Sequence, residues 1–398
     1  MSRSGYTATR LYSGTDALPR LGLRLLTPAW LCVLAAAFLS LIGVNAIGIT
    51  RPELASRQFV FLGVGLAAAV IVTIVPPRAL RSLSWFLLLV AIGFLVFVLI
   101  PFVPKSLVTP RNGARAWINM GAADFQPSEL AKIAFILCIA QWYALQGSPR
   151  TVRALVVPGA IWALLVGLIV LEPDLGSALL FAPTLLAMTI VAGVRLRHVL
   201  LALLAAAILA PTAYFVALKP YQRARIDAIV AQIKGDDRYE STIGFQGWRA
   251  MRLVGAGGFA GNDADRTRAL VEFNKLPEEH NDMIFAVIVC RHGMIGALAV
   301  LGAYAMFVLG AFVLSLVARD GFTKLVAVGI GALVFAQLTV NVGMTIGLLP
   351  ITGVTLPFLS YGGSSLLSCW VLAGLLLGIG IRPPSRASVG GDKDPFDD

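Results

Sequence analysis

The chain has 398 residues, 58% of them hydrophobic and only 13% charged, with a mean hydropathy of +0.83. That balance excludes an ordinary soluble globule, which could not bury so much apolar surface, and the net charge of +11 does not change this. The sequence reads as an all-α polytopic membrane protein, and no nucleic-acid partner is expected.

Apolar runs that approach or exceed the roughly 18 to 20 residues needed to cross a bilayer lie near residues 29–49, 58–75, 84–103, 130–145, 154–171, 177–194, 199–217, 283–317, 324–349 and 364–381. They predict about ten spans. The first run follows basic residues but lacks the small-residue cleavage site and soluble remainder of a signal peptide, so a retained span is expected. The fourth run is short. The eighth exceeds one crossing and carries Arg291 and His292, which leaves a tilted helix and a reentrant break both open. The domain plan is a cytoplasmic tail over 1–28, a membrane domain over 29–381 with a large outer loop at 218–281, and a second cytoplasmic tail over 382–398.

Orientation follows from the short loops. Arg10, Arg20, Arg24, Arg78, Arg81, Arg150, Arg153, Arg195, Arg197, Arg319, Lys324, Arg382 and Arg386 fall on one side if the spans alternate, which makes both termini cytoplasmic. The loops near 104–128, 172–176, 218–281 and 350–363 are then outside. Those loops also carry Arg111, Arg115, Arg223, Arg225, Arg249, Arg252, Arg266, Arg268 and Lys275. A long loop can escape the charge rule. Alternatively, the cations serve an anionic substrate, and the planar fork of arginine suits phosphate oxygens.

The segment from Asn341 to Ser365 places Gly, Pro and hydroxyl residues between two apolar runs. Backbone released from helical bonding at membrane depth persists only where protein or a wet cavity satisfies it, so this segment should line a cavity. The cysteines Cys32, Cys138, Cys290 and Cys369 are scattered singly among the spans and read as packing residues. With three His and no Cys-x-x-Cys or His-Glu-x-x-His, a structural metal site is not expected. The glycine-rich run Gly255-Ala-Gly-Gly-Phe-Ala-Gly261 lacks the following Lys-Ser/Thr of a nucleotide-binding loop.

Four outer-face motifs carry a family resemblance: Asn112-Gly-Ala-Arg-Ala-Trp117 with Gln126-Pro-Ser-Glu-Leu-Ala-Lys132, Glu172-Pro-Asp-Leu-Gly176, Leu276-Pro-Glu-Glu-His-Asn-Asp-Met-Ile-Phe-Ala286, and the stretch from Leu349 to Ser365. In this order they resemble the SEDS proteins (shape, elongation, division and sporulation), whose members include RodA and FtsW. The resemblance implies an inverting peptidoglycan glycosyltransferase of the cytoplasmic membrane with its active site on the outer face. It would polymerise lipid II into undecaprenyl-linked glycan beside a class B penicillin-binding protein. No resident cofactor is implied, although a divalent cation such as Mg²⁺ or Mn²⁺ could accompany the pyrophosphate. Leu-Leu-Pro-Ile-Thr-Gly353 leans towards the RodA kind.

The resemblance assigns Asp282 as the base that deprotonates the sugar 4-hydroxyl. From position alone, an Asp just before an apolar run could instead cap the helix. Lys132 would stabilise the leaving pyrophosphate, whereas its spacing from Glu129 also fits an i,i+3 ion pair. Arg115 and Arg225 would join Lys132 on the phosphates. Ala116 stands where the family usually has Arg, and Tyr221-Gln-Arg-Ala-Arg-Ile226 selects Arg225 over Arg223. Glu172 would pair with a nearby Arg or Lys or bind a substrate-borne divalent ion, and Asp174 would cap a helix. Ser360, Tyr361 and Ser364 are candidate donors to sugar or phosphate, with Pro350, Gly353 and residues 357–363 shaping the floor.

The chain also departs from the family pattern, at Cys290-Arg291-His292 where acids are usual, and at Arg249-Ala250 where Gln-Ser is usual. A lipid-linked precursor flippase would also be polytopic, but it needs polar sequence at both faces, whereas here that sequence gathers outside. An inactive scaffold for a penicillin-binding protein would bind its partner and make no polymer.

Overall fold

The computed structural model describes residues 27–382 apart from 105, 109, 111–113, 122, 147–152, 196, 319 and, between 202 and 243, all but 204, 207, 208, 223, 224, 227, 230, 231, 234 and 236. Arg225, Asn112, most of the seventh apolar run, and the tails before 27 and after 382 lie outside the described residues. The fold is all-α. Three helices lead from the amino-terminal side: α1 (Ala29–Thr50), α2 (Pro52–Ile74) and α3 (Pro77–Leu99). A two-stranded hairpin of β1 (Ile118–Asn119) and β2 (Asp124–Phe125), with Ile118 opposite Phe125, precedes α4 (Pro127–Gln146), α5 (Arg153–Leu171) and α6 (Leu175–Val191). Within the outer loop lie α7 (Phe245–Gly257) and α8 (Ala264–Asn274). The chain then runs through α9 (Ile284–Val317), α10 (Gly321–Thr345) and α11 (Gly363–Ile381).

Among the described residues, eight helices are long and apolar enough to cross a membrane, and α6 is a shorter apolar helix. The expected fourth span, short on hydropathy alone, gains length from polar first-turn residues and runs for 20 residues from Pro127. Proline opens α2, α3 and α4, where its missing N–H and fixed φ cost nothing. The helices divide by surroundings. α10 and α4 are buried over most of their circumference, while α2 and α3 turn Phe59, Val70, Ile71, Phe86 and Leu89 outward, as a lipid-facing surface requires. Small residues let backbones approach: a Cβ on Gly374 of α11 would lie 2.5 Å from the Ala69 carbonyl oxygen of α2. At the opposite end from the outer loops, Arg382 donates to Thr73 O at 2.8 Å and Ile74 O at 2.7 Å, satisfying the last carbonyls of α2.

The eighth apolar run is neither one straight helix nor merely a tilted one. Its 34 residues would extend about 51 Å if straight, well beyond a hydrocarbon core of about 30 Å. The backbone breaks at Gly293 (φ 64°, ψ −159°), leaving a short buried helix over 284–292 and a spanning helix over 294–317. The glycine-rich run after α7 fills the break. Met294 N–H donates to Gly258 O at 3.0 Å, and Asn262 donates to the carbonyls of Arg291 (backbone N–H, 3.2 Å) and Cys290 (side-chain amide, 2.8 Å). Arg291 returns a bond to Asn262 O. The glycine run and the unusual Cys290-Arg291-His292 thus form one joint, whose glycines serve backbone contact rather than phosphate.

A Cβ on Gly293 would lie 2.4 Å from Phe259 O and 2.5 Å from Gly261 N, on a residue already at positive φ. Strain at that φ and overpacking each cost roughly 1–3 kcal/mol. We therefore expect Gly293→Ala to destabilise the protein by about 2–5 kcal/mol. Its apparent melting midpoint in detergent should fall by several degrees, while Gly302→Ala, which has open space, should leave it unchanged.

Candidate functional site

The segment between α10 and α11 is the hub. Helical bonding ends near Thr345, and Gly347 and Gly353 take positive φ (77° and 74°). The freed backbone is satisfied by protein. Gln58 of α2 donates to Ser360 O at 3.0 Å and accepts from Gly362 N–H at 3.2 Å, and Tyr304 of α9 donates to Pro357 O. Thr355 and Ser365 hydroxyls meet at 3.1 Å.

The same segment fixes the chain that carries Asp282. Three successive carbonyls are held: His280 O by Tyr361 N–H (2.8 Å), Asn281 O by the Ser360 hydroxyl (2.7 Å), and Asp282 O by the Asn341 amide (2.7 Å). The Asp282 side chain is buried, and its Oδ2 lies 4.0 Å from where a Gly353 Cβ would stand. α9 begins after Met283, whose position is the cap and offers no side-chain bond, so Asp282 is one residue too early for the capping role. Glu279, on the same stretch, takes an ion pair from Arg51 at 2.9 Å, tying the end of the outer loop to the α1–α2 junction.

On the other side of the hub, Thr352 and Val354 press on the start of α6. A Cβ on Gly176 would lie 2.4 Å from Thr352 O, so only glycine permits the contact. Asp174 caps α6 through Ser177 N–H at 3.0 Å and accepts from Gln126 Nε2 at 3.1 Å. Gln126 N–H in turn donates to Ser364 Oγ at 3.2 Å. One turn further, Glu129 and Lys132 form an ion pair at 2.8 Å with both side chains buried, and Ser368 of α11 donates to Glu129. The i,i+3 geometry is thus present, but in low dielectric rather than in water. Lys132 has three N–H donors and spends one on Glu129.

Several expectations change. Ser360 is 3% exposed, and its hydroxyl proton goes to Asn281 O while its oxygen accepts from Leu356 N–H, so it clamps backbone rather than facing a substrate as a donor. Tyr361 is half-buried, its ring edge-on to His280 (5.7 Å) and tilted to Phe61 (6.3 Å). Arg115 is half-buried and reaches Ile100 O at 3.4 Å, at the end of α3, rather than Lys132 or Asp282. Ala116 is fully buried, so a packing residue occupies the family's cation position. Arg249 donates to Lys275 O at 2.7 Å and Ala250 is buried, which joins α7 to the end of α8.

Glu172 departs most from expectation. It is 0% exposed, and among the described residues neither carboxylate oxygen has a hydrogen-bond partner, so the anticipated pairing with Arg or Lys is absent. Burial, with a smaller push from Asp174, raises its pKa from 4.5 to about 9. The folded protein therefore keeps this proton up to about pH 9, while the unfolded chain loses it near 4.5, and the resulting stabilisation fades as pH rises between those values. Glu172→Gln should remove that slope. Its apparent melting midpoint should rise relative to the parent as pH goes from about 6 to about 8.5, and parallel midpoints would contradict a buried neutral acid.

Sequence reasoning did not single out Gln126, Asn341 or Ser368 as members of the site. For Asn341 and Ser368 the available signal was a polar side chain in an otherwise apolar span.

Buried carboxylates, a buried lysine and a breaker-rich segment gathered between spanning helices define a polytopic membrane protein with a polar centre near its outer face. Residues 24–382 match the family model described as cell cycle protein, of the FtsW, RodA and SpoVE group. The chain belongs to this family, the SEDS proteins. It is 34% identical over 331 residues to stage V sporulation protein E of Bacillus subtilis, covering 82% of this chain and 86% of that protein. It is 29% identical over 324 residues to peptidoglycan glycosyltransferase MrdB of Escherichia coli, covering 81% and 84%. Among solved structures it resembles a chain from work on the coordination of polymerization and crosslinking by a peptidoglycan synthase complex, with a TM-score of 0.75, 32% identity and coverage of 88% and 97%. It also resembles the rod shape determining protein RodA of Thermus thermophilus, with a TM-score of 0.65, 28% identity and coverage of 88% and 96%. The protein is a multi-pass protein of the cytoplasmic membrane with extracytoplasmic loops.

Proposed function

We propose that this chain is a peptidoglycan glycosyltransferase that polymerises lipid II at the outer face of the membrane, in company with a class B penicillin-binding protein that crosslinks the strands. The observation that carries this reading is the fixed position of Asp282, a buried carboxylate held by three backbone clamps against the open face of Gly353. Its relatives include proteins named peptidoglycan glycosyltransferase.

In the proposed reaction, Asp282 takes the proton of an acceptor sugar 4-hydroxyl as its oxygen bonds to the anomeric carbon of the donor. The bond from that carbon to the undecaprenyl pyrophosphate breaks on the opposite face, its electron pair leaving with the pyrophosphate, so configuration inverts to a β-link. Lys132, with two ammonium donors beyond its bond to Glu129, would stabilise the departing charge in a medium of low dielectric. Ser364 and Tyr361 border the same segment and would contact sugar or phosphate; Arg225 would add a cation, while Arg115 would need to release Ile100 O. A divalent cation such as Mg²⁺ or Mn²⁺, where present, would enter with the pyrophosphate as part of the substrate.

Fluorescent lipid II supplied to the purified chain and its partner in proteoliposomes tests the reading. Polymer that a muramidase digests is expected, and movement of unpolymerised fluorophore across the bilayer with no polymer would favour a flippase instead.

A further inference from the structure

We infer that Asn341 is the positioning residue of the reaction, setting Asp282 against the Gly353 loop; the inference rests on the proposed glycosyltransferase reading and deepens it. Asn341 lies four residues before the end of α10 and is 0% exposed. Its single amide nitrogen donates two bonds of 2.7 Å, one to Asp282 O and one to Val354 O. Two segments that are far apart in sequence are thereby held to one nitrogen: the turn that carries the carboxylate, and the loop whose Gly353 faces it. Both partners are carbonyls, so the orientation of the amide is fixed by chemistry.

Two observations argue against mere space-filling. Among the described residues the buried Asn341 side-chain oxygen has no hydrogen-bond partner, a cost that an apolar side chain of similar shape would avoid. The chain from 280 to 282 is already anchored at its other two carbonyls by Tyr361 and Ser360, both from the far end of the same loop. Those two anchors fix the turn to residues 360 and 361. Asn341 ties Asp282 to Val354, next to the residue its carboxylate faces. A base must sit within hydrogen-bond reach of the proton it removes, and small misplacements of a catalytic group cost large factors in rate.

Asn341→Leu keeps the volume and removes both donors, while Asn341→Gln keeps the amide on a longer stem. Polymerisation of fluorescent lipid II by each full-length variant with its partner should be measured per precursor-binding site, counted from bound precursor, so that loss of folded protein does not count as loss of rate. We expect Asn341→Leu to lower kcat by about 30-fold or more with KM within about threefold, and Asn341→Gln to recover part of that loss. A rate per site equal to the parent in Asn341→Leu, or in Asn341→Ala should the leucine variant not fold, would overturn the inference. The outcomes separate from the underlying reading. If the parent polymerises and Asp282→Asn does not, that reading stands whatever Asn341 does. If the parent makes no polymer, both fall.

Discussion

Asp282→Asn is expected to cut polymerisation by about 10²–10⁴ while precursor still binds and the protein still folds. The expectation is sharp because the backbone of residue 282 and its side chain have separable duties. The carbonyl of Asp282 is held by Asn341, and its neighbours' carbonyls by Ser360 and Tyr361. None of these bonds uses the carboxylate, so an amide of the same size leaves all three in place. What the amide cannot do is accept a proton. α9 is capped at Met283 rather than at Asp282, so the substitution should cost no helix stability either. A melting midpoint within a few degrees of the parent, with lost turnover and retained binding, is the predicted pattern. Turnover equal to the parent would remove Asp282 from the chemistry.

The second large effect concerns Lys132 and Glu129. Both are buried, paired at 2.8 Å, and joined to α11 through Ser368. Removing one member of a buried pair strands the other charge, which typically costs about 3–5 kcal/mol. Lys132→Met should therefore lower the melting midpoint as well as turnover, and its lost turnover alone would not distinguish structure from catalysis. Adding Glu129→Gln resolves the two. The double variant has no stranded charge and can still accept from Ser368, so most of the stability should return. If Lys132 stabilises the departing pyrophosphate, turnover should stay down by about 10²–10³. Recovery of turnover together with stability would make the pair a structural device only.

Much of the fold was legible because its strongest signals are local. Length and apolarity mark the spans, and the density of breakers between 341 and 365 marks an interruption of helix, which falls at 346–362. Asp282 stood out at the foot of an apolar run, but position alone suggested a helix cap, which the structure places at Met283, and only the family resemblance suggested a base. What stayed hidden depends on partners distant in sequence. Ser360 looked like a donor in a polar turn, yet its acceptor is Asn281 O, 79 residues away. Glu172 looked like one half of an ion pair, and no local feature reveals that packing gives it no partner among the described residues. Arg115 kept its motif, but its direction is set by the end of α3. The glycine run at 255–261 was read only by elimination, since its function, filling the break at Gly293, exists only once α9 is known to break.

The central claim is one of place: pyrophosphate beside Lys132 and sugar beside Asp282, both around the 341–365 segment. A lipid II analogue with a photoreactive group on its sugar, cross-linked to the full-length protein in membranes and mapped by peptide sequencing, tests it directly. Adducts are predicted within 126–132, 280–283 and 350–364. Adducts confined to the opposite end of the bundle, around Arg81, Asp320 and Arg382, would contradict it.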